Sequence, residues 1–160
     1  MPDDRSATLP PRRGPRPETT DTNPHSQIDQ QPGSPLSDAL LDRLADMHDV
    51  RFGPSMRAPR GTVGLHLEAE RTSDDPDAFM LEREFAHVHP VPDSSLHMVL
   101  PEPLRSAAIE AGWAEPHPMA GRPTISKDIV LVFAPRDAGE LDVVEGLVRA
   151  AHGYAAGVAT

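Results

Sequence analysis

A chain of 160 residues with 25 acidic and 15 basic side chains has room for one domain with a true core plus some dispensable length. Its formal net charge of -10, with no dense Lys/Arg run, disfavours nucleic acid and anionic membranes as partners. The absence of cysteine rules out disulfides, thiolate nucleophiles and zinc–thiolate sites. No apolar run approaches the roughly 20 residues that cross a bilayer, and MPDDRSATLPPRR lacks the hydrophobic stretch of a secretory signal, so a soluble cytoplasmic protein is expected.

Residues 1–33 hold seven prolines and only four clearly apolar residues, Met1, Ala7, Leu9 and Ile28. Too little surface can be buried there to offset the ordering entropy, so a disordered tail is expected, with His25 a solvated residue within it. A single domain then runs over residues 34–160. Ser34-Pro35 opens a helix whose face is Leu36, Leu40, Leu41, Leu44 and Met47, reaching about His48. The Gly- and Pro-rich FGPSMRAPRG reads as a loop. Val63, Leu65, Leu67 and Ala69 alternate with Gly64, His66 and Glu68, the pattern of a half-buried strand with His66 on its exposed side. A second strand is expected over residues 79–89 and a third over 95–100, separated by Pro90, Pro92, Asp93 and Ser94. PEPLRSAAIEAG is a short helix stopped by Gly112, DIVLVFA a buried strand, and Asp137 with Glu140 a capping signal for a last helix ending at Gly153. The fold class that follows is α+β: a mostly antiparallel sheet of about four strands with helices packed on one face.

Four of the eight histidines fall between Glu84 and His117. In a strand, His87 and His89 point to the same side. A hairpin centred on Asp93 sets His89 opposite His97, and His117 follows the short helix, beyond Trp113, at a distance to close the group. Glu82 and Glu84 fall on the opposite face in this reading and are discounted as ligands. Imidazoles so grouped either hold a divalent transition metal or form a metal-free pocket for proton transfer. Trp113 is a candidate for stacking on a planar ligand and Arg136 for binding a substrate anion; packing and a salt bridge are the plainer roles. Asp137 is read as a helix cap and nothing more.

The series EFAHVHP, SLHMVL, AGWAEPHPMAG and VFAPRDAGELDVVEGLV resembles the fungal luciferase domain and its bacterial relatives, over roughly Phe79 to Tyr154. The matched positions are His87, His89, His97, Gly112, Trp113, His117, Pro118, Ala134, Pro135 and Arg136. The resemblance implies an enzyme that oxidises a small molecule, a 3-hydroxylated styrylpyrone in the fungal case, with dioxygen and no organic cofactor. It implies that the histidines deprotonate the substrate enol and stabilise the anion. Pro116 stands where the fungal motif has a basic residue, and the fungal proteins carry an N-terminal hydrophobic anchor where this chain has its Pro-rich tail. The leading expectation is an oxygenase-like enzyme with His87, His89, His97 and His117 as its site. The alternatives are a non-catalytic module binding a small ligand or metal, and an interaction domain. The oligomeric state is open.

Overall fold

The computed structural model of the chain describes residues 8–56 and 58–158. Its strands are β1 (Val50–Pro54), β2 (Val63–Leu67), β3 (Glu84–Val88), β4 (Leu96–Val99), β5 (Ala114–Pro116) and β6 (Ile129–Val132). They form one antiparallel sheet in the spatial order β1-β2-β3-β4-β6-β5. The helices are α1 (Ser34–Leu44), α2 (Leu104–Glu110) and α3 (Ala138–Ala156). The α+β class and the antiparallel pairing agree with the sequence, but the sheet has six strands, not about four. Both additional strands are edges. β1 contains Gly53 and ends on Pro54, and β5 is three residues long and ends on Pro116. Such composition masks a strand in a periodicity reading, because an edge needs only one side of its backbone paired.

One face of the sheet carries the apolar row Leu65, Ala86, Met98 and Val130, consecutive register partners that are fully buried. α3 lies on β2, β3 and β4, and α1 packs against α3. Leu141, Val144, Leu147, Val148 and Ala151 form the α3 side of this core, as the spacing predicts. Each buried leucine or valine among them contributes about 1.5–3 kcal/mol by leaving water. Asp137 Oδ1 accepts the Glu140 N–H at 2.8 Å and caps α3. The helix runs past Gly153 and stops at Gly157, whose φ of 77° is left-handed and suits glycine. Among the described residues, no helix is long and apolar enough to cross a membrane.

The N-terminal segment differs most from expectation. From residue 8 onward it is docked on the domain instead of disordered. The Arg12 N–H donates to Ala111 O at 2.8 Å, and Trp113 Nε1–H donates to Pro10 O at 2.6 Å. Gln27, 1% exposed, accepts the Ala134 N–H at 2.9 Å. A bridge between Thr19 and Gln27 folds the segment back on itself. Counting apolar residues misses this docking because much of it is made by hydrogen bonds, to Ala111 O at the end of α2, to the Trp113 indole and to the Ala134 N–H after β6. The prolines also restrict the undocked chain, which lowers the entropy lost on docking. Residues 1–7 lie outside the described residues.

Candidate functional site

The sheet face opposite α3 carries a second row, Gly53, Gly64, His87, His97, Leu131 and Glu115, again consecutive register partners. His97 therefore faces His87, not His89; the His89 N–H instead donates to Ser95 O at 2.9 Å. The turn is held by Asp93, whose Oδ1 accepts the Ser95 N–H at 3.0 Å, with Ser94 at φ 61°. The register differs from the expected one by two residues. An even shift preserves which side of the strand a residue takes, so His97 stays on the histidine face.

Three rings meet there. His87 Nε2 is 3.2 Å from His89 Nε2 and 3.0 Å from His97 Nδ1, and the last two nitrogens are 3.1 Å apart. His87, His89 and His97 are 4–5% exposed. The far nitrogen of each ring is engaged by another group. His87 Nδ1 is 3.0 Å from Glu84 Oε1, and His89 Nδ1 is 3.0 Å from Ser95 Oγ, which itself donates to Asp93. His97 Nε2 is 3.0 Å from His25 Nδ1, and His25 Nε2 is 2.7 Å from Glu115 Oε1. His25, expected to be solvated, is thus buried and part of the cluster. No pattern in its own sequence marks it, because the docking of the whole segment brings it in. His117 joins from the loop after β5, its ring centroid 5.0 Å from that of His97, with Nδ1 accepting the Met119 N–H.

Glu84 is also on this face, contrary to the alternation expected. A bulge in the pairing of β2 with β3 matches Leu65 to Ala86 and His66 to Glu84, leaving Phe85 unmatched. The extra residue reverses the phase and turns Glu84 to the side of His87. His66 shares that face and is buried, not exposed, 3.0 Å from Pro54 O. Gly64 lies between them, and a Cβ there would fall 2.8 Å from His66 Nε2 and 3.3 Å from Glu84 Oε1. The glycine is what lets the two side chains stand side by side.

Electrostatics keep most of the cluster neutral. Burial, reinforced by the neighbouring histidines, lowers His89 to about 3, His117 to about 4, and His97 well below the ordinary imidazole value. Burial alone would raise the Glu84 carboxyl, but hydrogen bonds from His87, the Met56 N–H and Ser55 outweigh it and hold the group below the usual range. Glu115 is held low in the same way by His25 and Thr19. The rings floor a cavity of about 110 Å³, walled by Met80, Leu81, Ile125 and Ile129 and by Pro24, Ala58 and Pro59 from loops. His25, His97 and His117, or His87, His89 and His97, are close enough together to hold a metal ion.

Trp113 and Arg136 are not in the cavity wall. Trp113 is a core residue that also anchors Pro10. Arg136 pairs with Glu140 and donates to Arg13 O and Gln30 Oε1, so it fastens the N-terminal segment. Asp137 is the α3 cap, as read from the sequence.

Residues 82–151 match the Luciferase domain. The chain is 30% identical to luciferases of Armillaria ostoyae and Armillaria mellea across 91% of its length and 60% of theirs. It is 36% identical to the luciferase of Neonothopanus nambi across 46% of its length and 28% of that protein. The chain thus spans about 60% of the length of the Armillaria relatives, and the 91% coverage reaches into the segment that carries His25. These relatives are fungal. No solved structure matches. His87, His89, His97 and His117 thus lie in a stretch that matches the Luciferase domain, the family that their motifs resemble.

Proposed function

We propose that this protein is a small luciferase-like oxygenase that oxidises an enolisable hydroxypyrone or related aromatic compound with dioxygen in the histidine-floored cavity. The observation that carries this reading is a buried cluster of imidazoles, three of them held neutral, lining a cavity in a domain similar to fungal luciferases. An enol becomes reactive towards dioxygen when it loses its proton. Imidazole promotes that loss as a proton acceptor backed by a carboxylate, as in the Glu84–His87 and Glu115–His25 pairs, or by holding a cation that acidifies the enol. Glu84 and Glu115, at the far nitrogens of His87 and His25, stabilise positive charge gained by the cluster. His117 accepts the Met119 N–H at Nδ1, which assigns its proton to Nε2, a donor for an enolate oxygen. The apolar walls suit a flat ring.

The test is oxygen uptake by the purified chain with a panel of hydroxypyrones that includes the hydroxylated styrylpyrone. Substrate-dependent uptake is expected, falling about 10²-fold or more in folded His97→Ala. An unaffected variant, or no uptake across the panel, would refute the reading. One observation favours non-catalytic binding of a small ligand: 110 Å³ is below the about 150 Å³ of a cavity that admits benzene. A two-ring substrate therefore requires the loops around Pro24 and Pro59 to part.

A further inference from the structure

We propose that His87 Nε2, His89 Nε2 and His97 Nδ1 form a facial three-nitrogen site for one divalent transition metal ion. The argument starts from a property of the ring. Each imidazole nitrogen has a single in-plane position, filled either by a proton or by a lone pair, so it donates or accepts but never does both. A hydrogen bond needs one of each. Three nitrogens in mutual contact cannot be paired this way, because any assignment leaves two donors or two acceptors facing each other. The contacts here are 3.2, 3.0 and 3.1 Å, so whatever tautomers the rings adopt, at least one of the three is repulsive. A cation at the centre removes the conflict, since it takes all three as acceptors.

The surroundings select that all-acceptor state. Glu84 accepts from His87 Nδ1–H; Ser95 Oγ, whose own proton goes to Asp93, accepts from His89 Nδ1–H. Glu115 accepts from His25 Nε2–H, which leaves His25 Nδ1 to accept from His97 Nε2–H. Every proton is thereby directed outward and every lone pair inward. Histidine ligands are held in the same way at known metal sites, with the second nitrogen donating to a carboxylate or another acceptor. The neighbouring group His25, His97 and His117 fails this test, because His97 Nε2 and His25 Nδ1 form an ordinary donor–acceptor pair and His117 Nδ1 is engaged by Met119.

Spacing fits as well. With metal–nitrogen bonds of about 2.0–2.1 Å, the observed separations correspond to N–metal–N angles of roughly 91–106°. That range lies between octahedral and tetrahedral and places all three nitrogens on one side of the ion. All three histidines also line the cavity, from which an exogenous oxygen ligand would reach such an ion. Three neutral imidazoles with no thiolate suit iron(II), cobalt(II), nickel(II), copper(II) or zinc(II) better than magnesium or calcium. This inference rests on the ring geometry and holds whether or not the oxygenase reading does.

The test uses the whole chain, untagged and stripped by chelation, titrated anaerobically with cobalt(II) and followed by visible absorption and elemental analysis. One ion per chain is expected. Affinity should fall about 100-fold or more in His89→Ala and stay within about threefold of the parent in His117→Ala, with fold checked by circular dichroism. Less than roughly 0.1 ion per folded parent chain would overturn the proposal, as would loss in His117→Ala with retention in His89→Ala. Should His89→Ala not fold, long-range proton–nitrogen spectra of the parent decide. Zinc(II) is expected to shift one ring nitrogen in each of His87, His89 and His97, and shifts confined to other histidines would overturn the site. Stoichiometric binding without oxygen uptake upholds the site and counts against the oxygenase. Uptake untouched by complete metal removal, together with less than roughly 0.1 ion per chain in the titration, upholds the oxygenase and overturns the site.

Discussion

Gln27→Leu tests whether the N-terminal segment is a fixed wall of the site. Gln27 is 1% exposed, and its side chain makes three hydrogen bonds: Nε2–H to Asp29 O at 2.9 Å and to Gln30 O at 3.2 Å, and Oε1 from Ala134 N–H at 2.9 Å. Leucine has nearly the same bulk but no polar atom. The stranded Ala134 N–H costs about 1–3 kcal/mol and the two lost carbonyl partners about 0.5–1.5 kcal/mol each, part of which the apolar replacement recovers. A net loss of about 2–4 kcal/mol falls on docking of the segment, shifting the docked population by a factor of roughly 30–1,000. Amide exchange at Ala134 should accelerate by a comparable factor. The single tryptophan provides a second readout, since Trp113 Nε1–H donates to Pro10 O and its emission should move to the red when the segment leaves. Exchange within about twofold of the parent and unchanged emission would refute the argument, because a buried N–H cannot lose its acceptor without consequence.

Gly64→Ala should destabilise by about 1–3 kcal/mol in a thermal melt, since its Cβ would fall 2.8 Å from His66 Nε2 and displace the His66 bond to Pro54. Glu84→Gln should weaken metal binding by about 10–100-fold, read from the cobalt titration, because a neutral amide polarises His87 less than the carboxylate does. The pH dependence has a definite sign. His89 and His117 titrate at about 3 and 4 in the folded state against about 6.5 unfolded, so the unfolded chain binds more protons below 6.5. Stability of the metal-free protein should therefore plateau above about pH 6.5 and fall from there towards pH 4. The lowered Glu84 and Glu115 add a further loss below about 4.5. Urea midpoints between pH 4.5 and 8 check this, and a midpoint that rises on acidification would contradict it.

The parts of the fold that can be read from sequence are those with a clean period. The face of α3, the buried β6 and the His87/His89 alternation all follow from spacing alone. Edge strands β1 and β5 carry Gly and Pro, so their pairing is decided by what lies beside them and not by their own composition. Glu84 was hidden by one bulged residue, a feature that leaves alternation intact on either side and reverses it between. His25 lies 72 residues before its partner His97 in a stretch whose composition resembles a linker, and only the polar docking through Gln27, Arg12 and Arg136 reveals its place. Trp113 and Arg136, conspicuous in the motif, support that docking. Conspicuous residues in a motif can therefore be anchors for another part of the site.

The bulge and hairpin bring Glu84, His87, His89, Ser95 and His97 together within one short stretch of chain, on strands fixed from both sides by β2 and β6. Part of the wall comes instead from Asn23 and Pro24 and from Ser55, Ala58 and Pro59, in connecting segments that share no strand with the hairpin. In the proposed oxygenase, reactivity and selectivity would therefore be written on separable parts of the sequence. Substituting Pro24, Ala58 or Pro59 is expected to change the size and shape of what enters while the paired strands of the hairpin keep the histidine floor in place. Domains of this architecture can diverge in what they accept by altering the walls alone, and an engineer seeking a new substrate would begin there.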